Sequence, residues 1–199
     1  MEKNSNKLIS VDCGHLGEDI VITELTRNNY IASRLDDRAK LFDIIAMNKN
    51  GTRFCAIQVK TNQIGSNRFT LSQKNEDYSE EQTHCFYAFV KLKSDKNSED
   101  EIYFVPFKEV AKSIAEEHKK YLKSTSKNGA EHKDTPIRTF ILDENEHQKY
   151  NFSILNLDKY WIYFNIKPNL IYKYRFLCYN EIYIVGVKYG KFTRNKRQA

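Results

Sequence analysis

The chain is poor in the residues and patterns that usually announce a class. Its four cysteines, Cys13, Cys55, Cys85 and Cys178, are scattered and form no CxxC pair. That spacing excludes a disulfide-framed scaffold and a zinc ribbon, and it fits small buried thiols in a reducing compartment. Seven glycines are dispersed without a GxGxxG or Walker pattern, so there is no glycine-rich phosphate loop. The histidines His15, His84, His118, His132 and His147 show neither HxH nor HExxH spacing, and no Ser-His-Asp elbow occurs. The longest apolar runs, Cys85–Val90 and Ile182–Val187, fall far short of the ~20 residues that span a bilayer. Met1–Lys7 leads into no signal-peptide core. We find no internal repeat. These absences set the expectation of a cytoplasmic, globular protein with no membrane association. Its 199 residues suffice for one domain with a core, or one domain plus an appendage.

Positive charge is present but unevenly spread. The whole chain carries a net +6. Residues 161–199 hold eight bases (Lys167, Lys173, Arg175, Lys188, Lys191, Arg194, Lys196 and Arg197) against one acid, Glu181, so this segment is +7 and the rest is −1. The tail also interleaves bases with rings, as in Tyr172-Lys173-Tyr174-Arg175-Phe176. Such mixtures suit nucleic acid, by charge and stacking. The rings equally suit packing on the core or on a second copy, which would make the chain a homodimer. The expected organisation is a domain over 1–160 and a basic, aromatic extension over 161–199.

Periodicity orders the elements. Ile20, Val21, Ile22 and Leu25 predict a helix from Gly14 to about Arg27, with Glu18 on its inward side. Tyr30–Leu35 and Leu41–Met47 read as strands. Asn48-Lys49-Asn50-Gly51 is a hairpin turn, and Thr52–Thr61 is its antiparallel partner. On that strand Phe54, Ala56, Gln58 and Lys60 share one face, and Cys55, Ile57 and Val59 the other. Arg68–Leu71 predicts a short strand, Cys85–Leu92 an interior strand, and Glu101–Val105 another that ends at Pro106. Phe107–Lys123 is amphipathic, with Val110, Ile114 and Tyr121 or Leu122 inward. Pro136–Leu142 reads as extended and Leu155–Tyr163 as a short amphipathic segment. The order predicts an α/β or α+β domain: a mixed central β-sheet flanked by helices.

Within that frame, Asp43, Gln58 and Lys60 are a carboxylate, a carboxamide and an ammonium placed in core-like strands. Burying such groups without partners is costly. A divalent metal and a phosphate would provide a reason. Mg²⁺ takes oxygen ligands, commonly one or two carboxylates plus water and phosphate. Asp43 is the natural first ligand, with Gln58 and Glu18 beside it, and Lys60 is placed to serve an attacking water. A plain sheet with an Asp43–Lys60 salt bridge is the alternative reading of the same residues.

Gly17-Glu18 on the helix, Phe42-Asp43-Ile44 on the second strand and Gln58-Val59-Lys60-Thr61 on the third together resemble the PD-(D/E)xK nuclease superfamily, in its QxK variant. Phe42 stands where that pattern commonly has Pro, and Gln58 where it has Asp or Glu. The resemblance implies a restriction-endonuclease-like fold and a metal-dependent endodeoxyribonuclease, a hydrolase cutting DNA. Glu18, Asp43, Gln58 and Lys60 would be the catalytic set; Glu18, Asp43 and Gln58 would hold Mg²⁺ or Mn²⁺. A catalytically inactive nuclease-like module that binds nucleic acid or a protein partner is the alternative. Glu131–Phe140 also resembles a stretch of bacterial proteins of nuclease-like fold. Lys133 and Arg138 within it, with Lys173 and Arg175 in the tail, are the candidate phosphate contacts.

Overall fold

The computed structural model describes residues 8–36, 38–39, 41–63, 65–79, 82–93, 98–126 and 129–158, and the backbone of three strands between 174 and 197. The chain divides into two compact units, Met1–Lys159 and Tyr160–Ala199.

The first unit is built on a five-stranded mixed sheet. Helix α1, Ser10–Arg27, precedes β1, Ile31–Arg34, and β2, Ile44–Met47; β3 is Phe54–Asn62, β5 Cys85–Lys91 and β6 Glu101–Pro106, and the strand order is β1-β2-β3-β5-β6. Every neighbouring pair is antiparallel except β3 and β5, which run parallel. The connection between those two carries β4, Arg68–Ser72, and a 3₁₀ turn, Gln73–Glu76. Helix α2, Phe107–Lys123, follows β6 directly, and β7, Ile137–Ile141, pairs antiparallel with β4 as a separate two-stranded ribbon.

The sheet has two buried faces. Cys55, Ile57 and Val59 point into a core closed by Val21 and Leu25 of α1. Tyr87, Phe89, Tyr103 and Val105 point into the other, closed by α2 and by Phe69, Leu71 and Phe140 of the ribbon. The fold is therefore a mixed α/β architecture with helices on both faces of a central sheet. The hairpin between β2 and β3 forms as its sequence predicts: Gly51 takes φ 63°, and the Asn48 side-chain oxygen accepts from the Thr52 and Arg53 N–H groups at 2.9 and 3.1 Å.

Two expectations require correction. Tyr121 and Leu122 do not face the core, being 43% and 37% exposed; α2 buries only its first half, through Phe107, Val110, Ala111 and Ile114. The segment expected over Leu155–Tyr163 begins earlier, as a 3₁₀ turn over Phe152–Leu155 with Leu155 and Leu157 buried; 159–163 lie outside the described residues.

The second unit contains β8, Tyr174–Cys178, β9, Glu181–Lys188, and β10, Lys191–Arg197, in an antiparallel sheet of order β10-β9-β8. Among the described residues, no helix is long and apolar enough to cross a membrane.

Candidate metal and phosphate site

The site lies where one strand stops short. Strand β2 pairs with β3 only from Ile44 opposite Ile57 to Met47 opposite Phe54, so among the described residues no strand covers the second half of β3 on that side. Asp43 sits at the edge of this notch, one residue before β2. Its N–H donates to the Ile57 carbonyl at 2.9 Å, and its own carbonyl accepts from Leu35 at 2.7 Å. Phe42 lays its ring edge-on against Phe107 of α2 at 6.0 Å. Backbone and ring together fix the Asp43 side chain.

That side chain turns to β3. Asp43 Oδ2 accepts the Gln58 Nε2 amide at 2.5 Å and the Val59 backbone N–H at 2.7 Å. Asp43 Oδ1 and Gln58 Oε1 accept no hydrogen bond among the described residues. Lys60 is half-buried, on the same face of β3 as Gln58, and makes neither a hydrogen bond nor an ion pair among the described residues. The salt bridge to Asp43 that a plain sheet would favour is not formed.

Glu18 reaches the notch from the other face of the sheet. The buried stripe of α1 is Cys13, Gly17, Val21 and Leu25, at intervals of four, and Glu18 flanks it. The close fit comes from Gly17: a Cβ there would lie 1.9 Å from Thr61 Oγ1 on β3, a buried oxygen with no hydrogen-bond partner among the described residues. Burial first, and then the negative charge of Asp43, hold the Glu18 carboxyl above the ordinary carboxylate pKa, against the opposite pull of Arg34 and His15. Helix α1 packs on the face of β3 that carries Cys55, Ile57 and Val59, opposite to that of Gln58 and Lys60, and its Glu18 carboxylate is near enough to feel the charge of Asp43.

Gly17→Ala should accordingly lower stability by about 1–3 kcal/mol, the usual cost of overpacking. Thermal melts would show it as a fall of several degrees. Adding Thr61→Ala should recover most of the loss, because it removes the colliding oxygen. An unchanged Tm in Gly17→Ala alone would mean that the close approach does not exist.

Sequence reasoning missed Arg34, the last residue of β1. Its Nε lies 2.6 Å from Glu18 Oε2, and its Nη2 lies 2.8 Å from Asp19 Oδ1 and 3.3 Å from the His15 carbonyl. The only sequence signal was an arginine on a short strand near an acidic helix.

Of the expected phosphate contacts, Arg138 is a correction. It is 3% exposed, is ion-paired with Glu76, and donates to the Thr135 and Ile137 carbonyls at 2.5 and 3.0 Å. Its guanidinium ties β7 to the 3₁₀ turn and is not available to a backbone phosphate. Lys133 is exposed. Lys173 and the side chain of Arg175 lie outside the described residues.

The donor chemistry fits a hard divalent cation. Two carboxylates and a carboxamide oxygen form the all-oxygen set that Mg²⁺ or Mn²⁺ takes. No group of three or more His, Cys, Asp or Glu among the described residues could hold a metal. A cation here would thus depend on Asp43, Glu18 and the neutral Gln58.

No protein-family model matches the chain, and no curated protein matches it. Among solved structures, the chain is similar to that of Hjc, a Holliday junction resolvase from the archaeal hyperthermophile Archaeoglobus fulgidus, at 16% identity and a TM-score of 0.32, covering 70% of this chain and 91% of that one. A score this low supports no statement about what this chain does.

Proposed function

We propose that the chain is a metal-dependent nuclease of restriction-endonuclease-like fold that hydrolyses phosphodiester bonds in DNA. The observation that carries this reading is that Asp43 Oδ1, Gln58 Oε1 and Lys60 have no protein partner among the described residues, although Asp43 and Gln58 are hydrogen-bonded to each other and Lys60 shares the β3 face of Gln58. A carboxylate, a carboxamide and an ammonium gathered half-buried without a full set of protein partners are suited to a ligand that carries both a cation and phosphate oxygens.

Asp43 and Glu18 would hold Mg²⁺ or Mn²⁺, with Gln58 giving a neutral third oxygen. When bound, the cation supplies Lewis-acid stabilisation of the phosphate and activates water for attack. The chain's own residues do the rest. Asp43 is fixed through Oδ2 by the Val59 N–H and the Gln58 amide, which leaves Oδ1 for the cation. Lys60, as an ammonium, orients the attacking water and offsets the charge that grows on the phosphate oxygens as the new P–O bond forms and the old one breaks. Lys133 and the tail bases Lys173 and Arg175 would track the strand backbone.

The second reading is a nuclease-like module that binds nucleic acid or a protein without cutting. Gln58 favours it, since an amide removes one negative ligand. Cleavage of DNA by purified protein in Mg²⁺ or Mn²⁺, compared with Gln58→Glu and Gln58→Ala, separates the two. We expect cutting by the wild type, less in Gln58→Ala, and at least as much in Gln58→Glu. DNA binding with steep salt dependence but no cutting with either ion, in the wild type and in Gln58→Glu alike, would establish the binding module instead.

A further inference from the structure

We propose that Arg34 is a built-in counter-cation for the metal position: its guanidinium and a divalent cation take the Glu18 carboxylate in turn. The inference rests on the metal reading of Asp43, Gln58 and Glu18, and it adds a device that sets how tightly that site binds. Arg34 is anchored beside the site by its backbone. It stands opposite Ile44 in the β1–β2 register, and the next residue, Leu35, donates to the Asp43 carbonyl at 2.7 Å. From there the side chain reaches to α1 and meets Glu18 Oε2 at 2.6 Å.

Glu18 is 16% exposed and lies near a second carboxylate, so without a counter-charge it would be an uncompensated anion at the notch. Arg34 supplies that charge when no metal is bound. A divalent ion arriving at Glu18 brings a second positive charge into the same poorly solvated place, where the two cations repel. Arg34 has somewhere to go. Its side chain is 40% exposed, and Asp19 and the His15 carbonyl hold its Nη2 against α1 at 2.8 and 3.3 Å. It can leave Glu18 without leaving the helix.

The sign of the effect separates this role from an ordinary one. An arginine that merely orients a ligand strengthens metal binding, and its loss weakens it. A counter-cation competes, and its loss tightens binding. The test is a titration of the metal-free full chain with Mn²⁺ alone, following free Mn²⁺ by electron paramagnetic resonance, for the wild type, Arg34→Met, Arg34→Lys and Asp43→Ala. Arg34→Met should bind about ten-fold more tightly, at the low end of the changes that groups around a ligand cause. Mn²⁺ should also raise its Tm by more than it raises that of the wild type. Arg34→Lys keeps a charge but lacks the forked donor, so it should fall between the two.

Unchanged or weaker binding in Arg34→Met, with wild-type binding that Asp43→Ala abolishes, overturns the proposal and leaves the metal reading standing. Absence of binding in both the wild type and Arg34→Met overturns the two together. Should Arg34→Met not fold, Arg34→Lys carries the test, and unchanged or weaker binding there is equally fatal.

Discussion

Lys60→Ala is expected to lower metal-dependent DNA cleavage by about 10²–10⁴-fold, the range associated with loss of one positioned group that handles water and charge. Its effect on the fold should be small, because Lys60 has no hydrogen bond or ion pair among the described residues to lose. That combination is what makes the substitution informative. A structural lysine, once removed, costs stability and spares chemistry; this one should do the reverse. Single-turnover cleavage at saturating metal, with a thermal melt of the same sample, reads both. Lys60→Arg should not rescue, since the longer planar fork cannot replace a compact ammonium. Undiminished cutting in Lys60→Ala would remove Lys60 from the site.

Glu101→Gln is expected to cost about 3 kcal/mol of stability, the lower end of the penalty for breaking a buried ion pair. For a unit of this size, that is a Tm lower by about 6–12 °C. Glu101 opens β6 and lies under three lysines: Lys149 at 2.5 Å, Lys93 at 3.0 Å and Lys91 at 3.3 Å. The Lys91 side chain is only 5% exposed, and Glu144 at 2.6 Å and Asn67 at 2.7 Å complete its shell. Glu144 and Asn67 remain in the variant, which keeps the cost at the low end.

The same cluster fixes a pH dependence. Burial works against the charged form of Glu101, but Lys149, Lys93 and Lys91 outweigh it and hold the carboxyl at about 2, below its ordinary 4.5. A depressed carboxyl contributes stability in full above its unfolded pKa and loses it as pH falls through the folded one. Wild-type stability should therefore drop between about pH 4.5 and 2, with a shallower drop in Glu101→Gln. Urea unfolding across that window measures it, and parallel curves for the two proteins would contradict the assignment.

Much of this fold was legible because its signals were local. Helix α2 spans the predicted Phe107–Lys123, since the apolar period of its first half and the proline before it lie within one stretch of chain. The Asn48–Gly51 turn and the alternation along β3 are local in the same sense. What could not be read is where elements meet. Nothing in the sequence says that β2 starts too late to cover β3, and the whole site depends on that notch. Nor could Gly17 be told from a glycine of no consequence until Thr61 was set against it. Arg138 was read as a phosphate contact, yet it lies on β7, where burial and Glu76 claim it. Lys91 lay inside a hydrophobic run and Glu101 opened the strand beside it, but only their antiparallel register makes them a pair. Among the site residues, Asp43 and Gln58 were found by spacing, and they meet directly. Arg34 was not, because a cation that meets helix residues fifteen to nineteen positions upstream has no spacing to recognise.

The most direct test of the central claim is cleavage of DNA by the purified chain in Mg²⁺, with and without EDTA, beside Asp43→Ala. Asp43 is the proposed first metal ligand and the partner of Gln58, so its loss should abolish cutting as completely as EDTA does, while the variant still binds DNA. Cutting that survives EDTA, or that persists in Asp43→Ala, would contradict the account.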